Sequence, residues 1–145
     1  MNTSRESVSA ALFLLLQNGF QWATSSRKAV IWSTLTAAQQ PAMFLIHTAE
    51  NINQAQALGL PKFTLHYMCL IYAVVDQSTE APAPDTQINS LLDAVDSALH
   101  PIPGERQSLG GIVLDAYING DVMIDTGILD QQIAIVIPIR VLTGA

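Results

Sequence analysis

Apolar positions early in the chain recur at Val8, Ala11, Leu12, Leu15 and Leu16, a spacing of i, i+3, i+4, i+7 and i+8 that predicts a helix over 4–18 with one apolar stripe. Asn18-Gly19 is its stop signal. Phe13 and Leu14 widen the stripe, so cover on more than one side is expected. The stretch 20–40 is less regular, with Trp22, Arg27, Lys28 and Trp32 set among Ser and Thr; within it 29–35 is a candidate short strand. Two alternating runs follow, 41–50 and 62–75, joined by a loop over 51–61. In the second run Phe63, Leu65, Tyr67, Cys69, Ile71, Ala73 and Val75 make one unbroken apolar face. The other face begins polar with Lys62, Thr64 and His66 and turns apolar at Met68, Leu70, Tyr72 and Val74. At ~3.3 Å per residue such a strand runs to roughly 40 Å. A neighbouring subunit lying on the second face accounts for both its length and its two apolar sides.

The stretch 76–85, DQSTEAPAPD, reads as an acidic, Pro-rich exposed loop. It leads into a helix with Asp85 as expected N-cap and Ile88, Leu91, Leu92, Val95, Ala98 and Leu99 as stripe. Asp93 and Asp96 fall on its outer face, and His100-Pro101 ends it. The remainder is organised around 107–127, QSLGGIVLDAYINGDVMIDTG. Leu109-Gly110-Gly111 is read as opening a strand, and Asn119-Gly120 as a type I′ hairpin turn, which needs φ > 0 at both central residues. In the last run Ile133, Ile135, Ile137, Ile139 and Val141 alternate with Ala134, Val136, Pro138, Arg140 and Leu142. Proline cannot donate to a ladder, so this strand is expected at a sheet edge or bulge. An apolar edge needs a cover.

Composition sharpens that picture. The chain has 145 residues, a length that suits a single domain over 1–145, and only 12% are charged against 50% hydrophobic. Much of its surface must then be neutral or apolar, as surfaces that meet partners are. The net charge is −6, and the bases Arg5, Arg27, Lys28, Lys62, Arg106 and Arg140 are scattered, which is a poor grip for a phosphate backbone. A single cysteine, Cys69, allows no disulfide within the chain and no cysteine-rich zinc site. No run reaches the ~18 apolar residues of a membrane span. The run 10–16 behind Arg5 lacks a clear small-residue cleavage site and reads better as helix, so the chain is expected to be cytosolic where it is made.

Candidate chemistry is sparse. No P-loop, dinucleotide fingerprint, HExxH or GxSxG occurs, so the motifs single out no catalytic residue and no cofactor. His47 and His66 face each other in one antiparallel pairing, but without a third ligand they read as a polar patch. Asp115, Asp121, Asp125 and Asp130 cluster around the expected hairpin in no calcium-loop spacing, and aspartates there ordinarily serve turns. No metal site is expected. Trp22 and Trp32 read equally well as a pair of core residues or as exposed interface anchors.

The order of elements resembles the tail terminator proteins of long-tailed bacteriophages. The residues that carry the likeness are Arg27-Lys28 before Trp32, Pro41-Ala42 opening a strand, the strand 65–75, and Leu91-Leu92-Asp93 in the second helix. They continue with Gln107-Ser108-Leu109-Gly110-Gly111, Gly120, Asp125-Thr126-Gly127 and the run 135–142. The likeness spans nearly the whole chain. It implies an α/β (α+β) fold: a mixed, mainly antiparallel sheet with two main helices packed on one face. It also implies a non-enzymatic structural protein, a ring of six copies that caps the tail tube, ends its elongation and offers the head-joining surface. Its partners would be further copies, the tail tube protein and a head-completion or connector protein, with DNA passing through the lumen unbound and no membrane involved. Its place would be the head-proximal end of the tail in the virion, after assembly in the host cytoplasm. Within such a ring Met68, Leu70, Tyr72, Ile135, Ile137 and Ile139 are the expected subunit contacts. Arg27, Lys28, Trp32, Glu80 and Asp85 are the expected tube or head contacts, and Gly110, Gly111, Asn119 and Gly120 the structural turns. The alternatives are another ring protein of the head–tail connector or tail, or a small-molecule-binding α/β domain with a pocket near His47 and His66.

Overall fold

The computed structural model describes residues 4–52, 63–75, 81, 83–126 and 131–143. Helix α1 spans Arg5–Asn18, and the Ser4 hydroxyl caps it by accepting from the Ser7 amide at 3.1 Å. Helix α2 spans Pro84–Leu99. The strands are β1 (Thr24–Ser26), β2 (Ala42–Ile52), β3 (Phe63–Val74), β4 (Asp115–Ile118), β5 (Met123–Asp125) and β6 (Gln132–Leu142). Among the described residues these form one six-stranded sheet in the order β1-β2-β3-β6-β4, with β5 beside β6 as well. Only β1–β2 is parallel, so the sheet is mixed and mostly antiparallel, and with its two helices the fold is α+β.

Alternation along the strands decides what each sheet face meets. Leu65, Tyr67, Cys69, Ile71 and Ala73 of β3 are buried, as are Ile133, Ile135, Ile137, Ile139 and Val141 of β6. They pack in one cluster with Val8, Leu12 and Leu16 of α1 and Ile88, Leu91, Val95 and Leu99 of α2. Both helices therefore lie on the same side of the sheet. They approach closely at Gly19, where an added Cβ would stand 2.7 Å from Ala98 Cβ.

Several sequence expectations are corrected. The stretch 29–35 is not a strand: β1 comes earlier, and Trp32–Thr34 and Ala37–Gln39 are 3₁₀ turns. Helix α2 starts one residue before Asp85, with Pro84 at its first position and Ala83 at the N-cap. Asp85 sits in the first turn, where its charge favours the helix dipole. Leu109-Gly110-Gly111 opens no strand. All three take positive φ (50°, 76° and 95°) in a turn, and β4 begins at Asp115.

The expected Asn119-Gly120 hairpin is also absent, because β4 and β5 pair with β6 and not with each other. The chain jogs over 119–122 and continues along the same strand, with φ +106° at Gly120 making the jog possible. This explains Pro138. Asn119 donates to the Pro138 carbonyl at 2.9 Å, so Pro138 turns its backbone toward the jog, where the ladder between β4 and β5 is already interrupted. Hence β6 is an interior strand, and the sheet's edges are β1 on one side and β4 with β5 on the other.

Candidate assembly surfaces

The face of the sheet away from the helices presents the alternate residues. Register places Phe44, Leu70 and Val136 in one row across β2, β3 and β6, and Ile46, Met68 and Pro138 in the next. Met123 of β5 extends the first row beyond Val136. Leu70 and Tyr72 are half-buried, with Tyr72 tilted against Phe44 at 6.1 Å between ring centroids, and Met68 and Met123 are exposed. Apolar side chains thus cover much of a face that no helix covers. Its far end is polar: Arg140 lies between His66 and Tyr117, and its Nε is buried without a hydrogen-bond partner among the described residues.

Sequence reasoning assigned Met68, Leu70 and Tyr72 to one surface together with Ile135, Ile137 and Ile139. The structure separates these sets. The three isoleucines are at most 1% exposed and point into the chain's own core, so their side chains are not available to a partner. The residues of β6 on the open face are instead Ala134, Val136 and Pro138. The even positions 134, 136 and 138 were legible in the alternation, but an assumed edge position made the isoleucines look like the exposed set.

Parallel strands cannot be joined by a tight turn, so the connection from β1 to β2 must leave the sheet plane. It crosses the open face: Trp32, Ser33, Leu35, Ala37 and Gln40 line a cleft of about 310 Å³ with Val74, Gln131 and Gln132. Gln40 donates through Nε2 toward the Leu35 and Thr36 carbonyls at 3.5 and 3.4 Å, while its Oε1 is buried unpaired among the described residues. Ala29, Val30, Ile31 and Trp32 are exposed in succession at the start of this crossover. That run was read as a strand; its exposure is what sequence reasoning missed, since alternation cannot reveal a crossover.

The expected contact residues are scattered in role. Arg27 is held by Glu6 through two hydrogen bonds of 2.7 and 2.8 Å, which tie the start of the crossover to α1. Those bonds, then the charge of Arg27, hold the Glu6 carboxyl below its usual range. Lys28, Trp32 and Asp85 are exposed, and Glu80 lies outside the described residues. Trp22 is half-buried: its indole donates to the Leu16 carbonyl at 3.0 Å and its ring tilts against Phe20. Gly110 and Gly111 occupy a turn before β4, whereas Asn119 and Gly120 lie in the jog between β4 and β5 and close no hairpin.

The histidine pair does not form. A bulge between His47 and Ala49 sets His47 opposite Tyr67 and His66 opposite Ala49. His47 stacks on Tyr67 at 4.9 Å, with Nε2 3.3 Å from Glu50 Oε1, and Glu50 also accepts from Arg5 Nε at 2.6 Å. Asp115 accepts from the Gln107 amide at 3.1 Å and so serves the turn before β4; Asp121 and Asp125 are exposed, and Asp130 lies outside the described residues. Among the described residues no group of three His, Cys, Asp or Glu side chains is placed to hold a metal ion. No helix in them is long and apolar enough to cross a membrane. Neither a protein-family model nor a curated protein matches the chain.

Proposed function

We propose that this chain is a structural, non-enzymatic protein of a long-tailed bacteriophage that assembles as a ring of six copies.

 The ring caps the tail tube, ends its elongation and offers the surface to which the filled head joins. One observation carries the reading: the helices cover a single face of the sheet and leave Met68, Val136, Pro138 and Met123 on the other. An apolar face of this kind on a chain with so few charges favours a protein partner. A closed ring of like copies covers it without open-ended growth. The charge of −6 suits a lumen through which DNA slides without adhering.

The test is native mass across a concentration series, with images of the same samples, on the wild type and on Met68→Asp. The expected result is a six-copy ring for the wild type and a folded monomer for the variant. A ring unchanged in the variant removes the open face from the contact. Tail length separates this reading from another ring of the head–tail joint. Particles made without the protein should carry tails beyond normal length if it ends elongation, and tails of normal length if it does not.

A further inference from the structure

The crossover segment carries four exposed apolar residues in a row, with Val30, Ile31 and Trp32 at 43%, 67% and 47% exposure. Such a run is unfavourable in water unless something covers it. It is also held in shape. The Ile31 carbonyl accepts from the Thr34 amide at 2.9 Å and from the Thr34 hydroxyl at 2.7 Å, so the 3₁₀ turn presents Ile31 at its N-cap. A knob fixed before contact loses little freedom on docking.

The same chain holds a matching recess. Ala11, Leu14 and Leu15 of α1 face Gln107, Leu109 and Gly110 across a groove of about 290 Å³, and Leu14 is 55% exposed. A cavity of roughly 150 Å³ already takes benzene, so this groove is roomy enough for a branched side chain. Its far wall is rigid. Gln107 donates from its backbone amide to Asp115 Oδ1 at 3.1 Å and through Nε2 to the Leu99 carbonyl at 2.7 Å, and its Oε1 accepts from the Leu109 amide at 3.0 Å. Those bonds hold Leu109 at φ 50°, a conformation leucine rarely adopts.

We infer that Ile31 of one copy seats in the α1–Leu109 groove of a second copy, head to tail, an inference that rests on the ring reading above. The crossover lies over the open sheet face and the groove lies in the helix layer, so the two surfaces stand on opposite sides of the sheet. A chain cannot satisfy one with the other by itself. Two unlike surfaces on opposite sides make a heterologous contact, the kind that closes rings. Charge agrees: each copy carries −6, yet neither the run 29–32 nor the groove's lining holds a charged side chain. Copies meet there with the least repulsion.

The experiment uses Ile31→Asp and Leu14→Asp, both at exposed positions, with native mass, circular dichroism and melting measured on each. Each variant should keep its fold and associate at least about ten-fold more weakly than the wild type. Mixing the two is decisive. Ile31→Asp keeps an intact groove and Leu14→Asp an intact knob, so an equimolar mixture should form a two-copy species and nothing larger. If the wild type assembles and the variants assemble equally well, or their mixture fails to pair, this contact is overturned while the ring reading stands. A wild type that stays monomeric at every concentration overturns both.

Discussion

Cys69 shows how far position alone sets the behaviour of a reactive group. It lies on the helix face of β3, wholly buried, and burial pushes its thiol up to about 12. Tyr67, on the same face, is also raised, mainly by burial and against the effect of its 2.6 Å hydrogen bond with Ser9. In both, the folded chain keeps a proton that the unfolded chain releases, from pH 9.0 upward for the thiol and 10.0 for the phenol. Their contribution is complete below those values and is lost as pH rises through them toward the folded values. For Cys69 the loss between pH 9 and 10 is about 1 kcal/mol. Melting curves at pH 8, 9 and 10 should therefore fall less steeply for Cys69→Ala than for the wild type, each compared with its own value at pH 8. Equal slopes would mean that the thiol is more accessible than its burial implies. Alternation made the burial of Cys69 legible, since Leu65 to Val75 is one apolar face. The Ser9–Tyr67 bond was not legible, because it joins residues 58 apart through a register no local pattern records.

At the scale of elements, both helices and the three long strands β2, β3 and β6 could be read from periodicity, because each buries one stripe or face against a common core. What failed was the connection logic. Asn119-Gly120 has the residues of a hairpin, yet Pro138 on β6 accepts the jog there, and local turn chemistry cannot report which strand lies alongside. The helix pair yields a sharper test. Gly19 has φ −79°, which any residue adopts, so its importance is space: an added Cβ would meet Ala98 Cβ at 2.7 Å. Gly19→Ala should therefore destabilise the fold by about 1–3 kcal/mol through overpacking. Ala98→Gly alone should cost about 1 kcal/mol as a glycine inside a helix. The double variant should be more stable than the sum of the two effects predicts, and denaturant unfolding of the four proteins measures that coupling. Simple additivity would show that the helices separate without cost.

The whole molecule poses a question of sign. An acidic chain that associates must either match its charges across the contact or place the contact where charge is scarce. The open face has Arg140 at its polar end, beside His66, and a contact anchored there by a carboxylate would weaken as salt screens the pair. A contact made by Met68, Met123 and the run 29–32 has no such pair, and only the mutual repulsion of copies carrying −6 depends on salt. Screening then relieves a cost and leaves the apolar attraction intact. The shortage of charge that made self-association an expectation from composition thus also sets the direction of its salt dependence. Raising sodium chloride from about 0.02 to 0.3 M, across which the screening length shortens several-fold, should strengthen assembly. Sedimentation at fixed protein concentration would record this as a shift of mass from monomer to larger species, the proposed ring among them. Arg140→Gln should leave that trend in place if the apolar surfaces carry the contact. A trend of opposite sign, abolished by the same substitution, would move the contact to the polar end of the face.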